Sequence, residues 1–253
     1  MNVILDLDGV IWLAEEPIAG SPEAVDRLRR AGHRVLFLTN NSNPTVADLV
    51  EKLAGMGIET EAEEIATSAQ SAASLLSEGQ TALVCGGDGV VDALEARGVK
   101  HIREGESDAV IVGFHRDFDY QRLTAAFRSV IAGARLIGTN DDTTYPTPGG
   151  PVPGGGSILA AVAAASGVEP TVAGKPYQPM ADLVASRLDG VEDTVLIGDR
   201  PSTDGLMAAL LDVPFLLVLS GVTAEEDVPE DAPPAAVAHN LAALIDDDGS
   251  VRF

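Results

Sequence analysis

The stretch VILDLDGV, Val3 to Val10, sets a short apolar strand (Val3 to Leu5) directly before a turn that carries two carboxylates. Side chains alternate across an extended strand, so Asp6 and Asp8 point the same way, with their carbons roughly 6.5 to 7 Å apart along the chain. One site can hold both. Gly9 suits the sharp bend just beyond them. Three later segments also place polar residues after apolar strands: Thr39 after Arg34 to Leu38, Lys175 in Gly174-Lys175-Pro176, and Asp199 with Asp204 after Thr194 to Ile197.

Between these points, strand-like runs alternate with helices marked by caps. Ser21-Pro22 opens one helix that Gly32 closes, and Asn43-Pro44 opens another that Gly57 closes. Within the second, Val46, Leu49, Val50, Leu53 and Met56 recur at helical spacing and form a core-facing stripe. Repeated βα units of this kind predict an α/β fold, a Rossmann-like, doubly wound parallel sheet covered on both faces. Ligands in such sheets bind at the carboxyl ends of strands, where all the polar residues above are placed.

Roughly 135 residues separate Thr39 from Lys175, more than a single crossover needs. The excess predicts an inserted, smaller α/β domain over 79–158, leaving a core of 1–78 and 159–253. Inside the insertion Thr81 to Cys85, Ala109 to Val112 and Arg135 to Gly138 read as strands, and Val90 to Ala96 and Tyr120 to Ile131 as helices. The Pro/Gly-rich run Pro146 to Gly156 reads as its exit hinge and as the entry to a helix. That run has no Lys after its last glycines, so it fails the nucleotide-loop pattern.

Composition narrows the partners. The 253 residues are 45% hydrophobic, which argues against disorder, and carry a formal charge of -23. Nucleic acid and anionic membranes are therefore poor partners, and a phosphorylated ligand must be attracted locally. Three lysines accompany thirteen arginines, a bias consistent with either high-salt adaptation or codon usage. Cys85 is the only cysteine, which excludes an intrachain disulfide and fits a small buried strand residue. No stretch is long enough to span a bilayer and no leader-like segment is visible, so the expected location is cytoplasmic. The four histidines have no ligand-like spacing.

Taken singly, an Asp pair after a strand is a solvated turn or helix cap, and a lone Lys a surface charge. Together the residues fit phosphoryl transfer. A carboxylate can attack phosphorus and split one hard displacement into two easier ones, the role expected of Asp6. Attacker and phosphoryl oxygens are both negative, so a divalent cation and fixed donors must offset their repulsion. Mg²⁺ takes oxygen ligands, for which Asp6, the backbone carbonyl of Asp8 and Asp199 are the expected protein share. Asp8 is the expected acid for the leaving oxygen and base for the hydrolytic water. Thr39 offers a hydroxyl, Lys175 a charge, and Asp204 orientation of Lys175 or of metal-bound water.

Seven segments carry a resemblance: LDLDGVIW (Leu5 to Trp12), LFLTNNS (Leu36 to Ser42), TSAQSAA (Thr67 to Ala73), VGFHRDFDY (Val112 to Tyr120), GTNDDTTYP (Gly138 to Pro146), GKP (Gly174 to Pro176) and IGDRPSTD (Ile197 to Asp204). The chain resembles the haloacid dehalogenase superfamily and, within it, the NagD-like or p-nitrophenylphosphatase-like branch with a large inserted cap. The resemblance implies a Mg²⁺-dependent phosphatase of small phosphorylated metabolites, with Asp6 as nucleophile and Asp8 as acid and base. It also implies that Asn40 and Asn41 line the phosphate and substrate pocket and that Tyr145, before the cap-loop Pro146, faces the substrate. Capped relatives often pair, so a homodimer is a further expectation. The chain departs from the common pattern at His115, where an Asp is frequent, and at Pro201-Ser202.

Three other readings stand beside this one. Dehalogenation has no leaving oxygen to protonate and so no use for Asp8. A phospho-accepting signalling protein shares the acidic, Thr and Lys set but is shorter, and a non-catalytic phosphate-binding protein would not need every one of these groups. Trp12 and Tyr145 fit either stacking on a substrate or packing, and Arg200 either an ion pair or the site entrance.

Overall fold

The computed structural model describes every residue except Pro146 and Pro148, so that part of the expected hinge lies outside the described residues. The chain divides into two compact units: Met1–Thr39, Val50–Ala66 and Ala181–Phe253 form the first, and Asn40–Leu49 with Thr67–Met180 the second. The expected insertion, 79–158, falls wholly inside the second.

The first unit is built on a six-stranded sheet in the order Ala236–Ala238, Phe215–Val218, Thr194–Gly198, Asn2–Asp6, Arg34–Thr39, Ile65–Thr67. The pairings from Ala236–Ala238 across to Arg34–Thr39 are parallel. Central strands of a parallel sheet are covered on both faces and must be apolar throughout. Val3, Ile4, Leu5, Val195, Leu196 and Ile197 accordingly have no solvent exposure. Helix Ser21–Arg30 packs Ala24, Val25 and Leu28 inward at helical spacing, and Gly32 follows it at a φ of 83°. The next helix starts at Val46, later than Asn43-Pro44 implies. Thr45 and Asp48 exchange backbone-to-side-chain hydrogen bonds of 2.9 and 3.1 Å, and that reciprocal cap sets the first turn.

The second unit has a five-stranded, wholly parallel sheet ordered Thr171–Val172, Arg135–Gly138, Ala109–Val112, Thr81–Cys85, Lys100–Ile102. The three expected strands are its centre, and two short edge strands complete it. Strand alternation divides its buried side chains between two clusters, Ala82, Val84, Ala109 and Ile111 in one, Leu83, Cys85, Val110 and Val112 in the other. Helices Ser68–Ser74 and Asp88–Glu95 contribute to the first cluster, Tyr120–Ile131 and Gly155–Ser166 to the second. The Gly-rich run supplies strand Val152–Pro153, paired antiparallel with Thr144–Tyr145, and then the first turn of Gly155–Ser166. Among the described residues, no helix is long and apolar enough to cross a membrane.

Phe37 sits on a central strand of the first sheet with no exposure. Phe37→Ala removes a ring that the packed core cannot refill and is expected to cost about 3 to 5 kcal/mol, read as a lowered urea midpoint with little change in slope.

Candidate active site

Strand register places three of the expected residues at one edge of the first sheet. Asp6 pairs with Leu38, and Leu5 with Ile197, so Asp6, Thr39 and Asp199 all fall at the carboxyl ends of adjacent strands. Asp199 is followed by a π-helical turn, Pro201–Gly205, which returns Asp204 to the same place. Carboxylate oxygens of Asp6, Asp199 and Asp204 lie within 4.8 Å of one another. All three residues are buried, at 7, 4 and 1% exposure. Like charges that close, removed from water, repel strongly, and hard oxygen donors suit a small divalent cation. The donor set therefore fits the metal that the sequence implies, with Asp204 brought into the group directly and not only behind it.

Fixed donors hold the cluster in place. Asp199 Oδ2 accepts the Val222 N–H at 2.7 Å, and the Asp199 carbonyl accepts the Thr223 hydroxyl at 2.6 Å. Asp204 Oδ2 accepts the Arg200 N–H at 3.1 Å. The Ser220 hydroxyl donates to the Gly9 carbonyl at 2.7 Å, tying the loop after Phe215–Val218 to the turn after Asp6. Gly9 has a φ of 89°, and a Cβ at either Gly9 or Gly221 would overlap the Asp199 carboxylate. Close approach thus dictates both glycines, and at Gly9 the positive φ does so as well. The Ser220 to Thr223 segment carries no ionisable residue and was not singled out by the sequence; its signal is small residues straight after a buried parallel strand.

Asp8 is held differently. The Trp12 indole N–H donates to Asp8 Oδ1 at 3.0 Å, and the ring is only 2% exposed, which rules out stacking on a substrate in this conformation. Lys52 Nζ lies 4.4 Å from the Trp12 ring centroid and donates to the Ala14 carbonyl at 2.7 Å. The cation covers the indole face, so the ring that orients Asp8 is itself fixed.

In the second unit, the Asn40 side chain brackets the Lys175 backbone. Its Oδ1 accepts the Lys175 N–H at 2.7 Å, and its Nδ2 donates to the Lys175 carbonyl and to Asp142 Oδ2, each at 3.1 Å. The Asn40 carbonyl accepts from Ser68 Oγ and Asn140 Nδ2, both at 2.7 Å. Lys175 is 3% exposed. Asn40 in this structure is therefore a scaffold for Lys175. Asn41 Oδ1 accepts the Asn43 N–H at 3.1 Å, which shapes the loop. Tyr145 stacks on Phe114, with ring centroids 5.1 Å apart.

A family model for haloacid dehalogenase-like hydrolases matches residues 3–100, and a second, HAD-hydrolase-like model matches residues 172–244. The acid sugar phosphatase of Staphylococcus saprophyticus is 32% identical, over 96% of this chain and 95% of its own. The structure of a glycerol phosphate phosphatase from Mycobacterium tuberculosis in complex with magnesium superposes with a TM-score of 0.89 at 31% identity, covering 99% of this chain and 78% of that one. NagD from Escherichia coli K-12 gives 0.86 at 30% identity, covering 95 and 96%. Motifs, sheet order and relatives converge: the chain belongs to the haloacid dehalogenase-like hydrolases, in their NagD-like, p-nitrophenylphosphatase-like branch, and is a phosphatase of that family.

Proposed function

We propose that this chain hydrolyses small phosphate monoesters of the glycerol-, sugar- or nucleotide-phosphate class through an aspartyl-phosphate on Asp6, with Mg²⁺ as cofactor. The observation that carries this reading is the unequal treatment of two neighbouring acids: Asp6 joins the buried acidic cluster, whereas Asp8 is turned to Trp12. Solved relatives that hold magnesium or calcium support the choice of a divalent cation.

An Asp6 oxygen attacks phosphorus as the bond to the leaving oxygen breaks, and Asp8 delivers the proton that this oxygen needs. Asp8, now a carboxylate, takes a proton from water; the water oxygen attacks phosphorus and the Asp6 acyl–phosphate bond breaks, releasing inorganic phosphate. Bound among Asp6, the Asp8 carbonyl and Asp199, Mg²⁺ would supply charge that offsets repulsion between carboxylate and phosphoryl oxygens. Asp204, itself fixed by the Arg200 N–H, would orient Lys175 or metal-bound water from within the same acidic group. Thr39 supplies a hydroxyl and Lys175 a charge to the phosphoryl oxygens, with Asn40 fixing Lys175 and Asn41 and Tyr145 assigned to the substrate side. Residues 79–158 act as the cap over a 1–78 and 159–253 core, in a cytoplasmic enzyme that pairs as a homodimer.

Asp6→Asn is expected to lower phosphate release from p-nitrophenyl phosphate below detection while circular dichroism stays native; appreciable remaining turnover excludes covalent attack by Asp6. Treatment with a chelator should silence the enzyme and Mg²⁺ restore it, and activity indifferent to chelator contradicts the acidic cluster's role. Trp12→Phe keeps a ring beneath Lys52 but removes the N–H that holds Asp8. Its kcat should fall about tenfold with glycerol phosphate and much less with p-nitrophenyl phosphate, whose leaving group needs little acid help. An equal loss on both substrates would count against Asp8 as the acid.

A further inference from the structure

The second unit carries a polar cleft of about 250 Å³ at the carboxyl ends of strands Thr81–Cys85 and Ala109–Val112. Arg103, Arg116 and Arg122 line it together with His115, Asp88 and Asp117. Three guanidinium groups in one cleft stand out in a chain of charge -23. Helix Asp88–Glu95 begins at its wall, where the aligned backbone dipoles present their positive end.

His115 supplies the independent observation. Its residue is 4% exposed, and its Nδ1 lies 2.9 Å from the Gly113 carbonyl. A carbonyl only accepts, so Nδ1 bears the proton and Nε2 presents a lone pair in the neutral ring. Nε2 is buried with no hydrogen-bond partner. Buried polar atoms are rarely left so; His115 lines the cleft, and once protonated its Nε2–H becomes a donor that needs an acceptor.

We propose that this cleft is a binding site for a small anion, a carboxylate or phosphate group seated between the guanidinium groups of Arg103, Arg116 and Arg122 and the Nε2 atom of His115. Arg103 already donates to the Gly86 carbonyl at 3.1 Å and Arg122 pairs with Asp117, so both are held in place before a ligand arrives. The volume lies below that of drug-sized pockets and suits a small metabolite or one end of a larger one.

Binding is coupled to a proton. Burial, opposed by the hydrogen bond to the Gly113 carbonyl and by Asp117 and assisted by Arg122 and Arg103, holds the His115 pKa below its ordinary 6.5. Asp88 on the neighbouring helix and Asp119 at the start of Tyr120–Ile131 add negative charge, and Arg116 positive. Cys85 on the strand beneath is pushed up to about 12 by burial and stays a neutral thiol. An anion beside Nε2 favours the imidazolium, which then donates to it, so His115 takes up a proton from solvent on binding. The bound-state pKa therefore exceeds the free one. Affinity is greatest below the free pKa and declines as pH rises through the bound pKa.

The test is a titration of the full chain, labelled with ¹⁵N-histidine and kept in Mg²⁺, using glycerate as the probe. Its four histidines allow the His115 signals to be assigned with His115→Asn. The expected result is a saturable move of the His115 Nε2 resonance toward the protonated range, with affinity about tenfold greater at pH about 5.5 than at about 7.5. Arg116→Gln and Arg122→Gln, checked as folded by circular dichroism, should each weaken binding about tenfold. A His115 signal that glycerate leaves unmoved, or that moves unchanged in both arginine variants, overturns the proposal. The same anion site could serve a separate effector or a second acidic group on the substrate, and this arm alone rests on the phosphatase reading. Competition by glycerate against p-nitrophenyl phosphate assigns the site to substrate; a change in kcat alone assigns it to an effector.

Discussion

The close approach of three buried acidic side chains is the constraint that the strand ends of the first unit must satisfy. Asp6, Asp199 and Asp204 sit within 4.8 Å of one another and are nearly removed from water, an arrangement that a chain left to itself would spread apart. It is sustained by backbone. Parallel strands deliver Asp6 and Asp199 side by side, the π-helical turn brings Asp204 back, and N–H groups of Arg200 and Val222 bind the two later acids. Two glycines are needed because the neighbouring chain passes so close to Asp199 that no Cβ fits. A preorganised negative cavity of this kind is costly without a cation and favourable with one, which is how folding and metal binding become linked.

Asp8 shows the opposite solution to the same problem of placing an acid. Two residues from Asp6, it leaves the cluster and takes a neutral N–H donor, the Trp12 indole, as its visible partner. Neighbouring carboxylates can be set in different surroundings, and here one contrast is the hydrogen bond from an aromatic residue on a two-residue strand. Lys52 lies over the face of that ring, where its charge helps to hold the indole in position.

Those parts of the molecule built from periodic apolar residues were legible in the sequence. The central strands of both sheets, helix Tyr120–Ile131 and the stop at Gly32 follow from burial periods and caps, and the strand-end acids follow from parallel topology. Edge strands were not legible: Lys100–Ile102 is half-exposed and Thr171–Val172 too short to show a period. The Ser220 to Thr223 loop was missed because it contributes amides, a hydroxyl and an absence of side chain, none of which marks a sequence. Asn40 was legible as a polar residue at a strand end, but its bracketing of the Lys175 backbone depends on a contact across 135 positions that no local pattern encodes.

Charge sets the remaining constraint. A chain of net charge -23 repels phosphorylated ligands at long range, yet salt screens that repulsion beyond roughly 8 to 10 Å, so the last few ångströms decide capture. Positive charge is accordingly local. Lys175 is buried on its own scaffold in the second unit, and Arg103, Arg116 and Arg122 gather at one cleft of that same unit. The unit that carries the acidic cluster and the unit that carries the buried lysine and the arginine cleft are thus electrostatically unlike. Anionic groups that reach the surface are selected by where guanidinium and ammonium groups are fixed, since the average charge of the chain favours none of them.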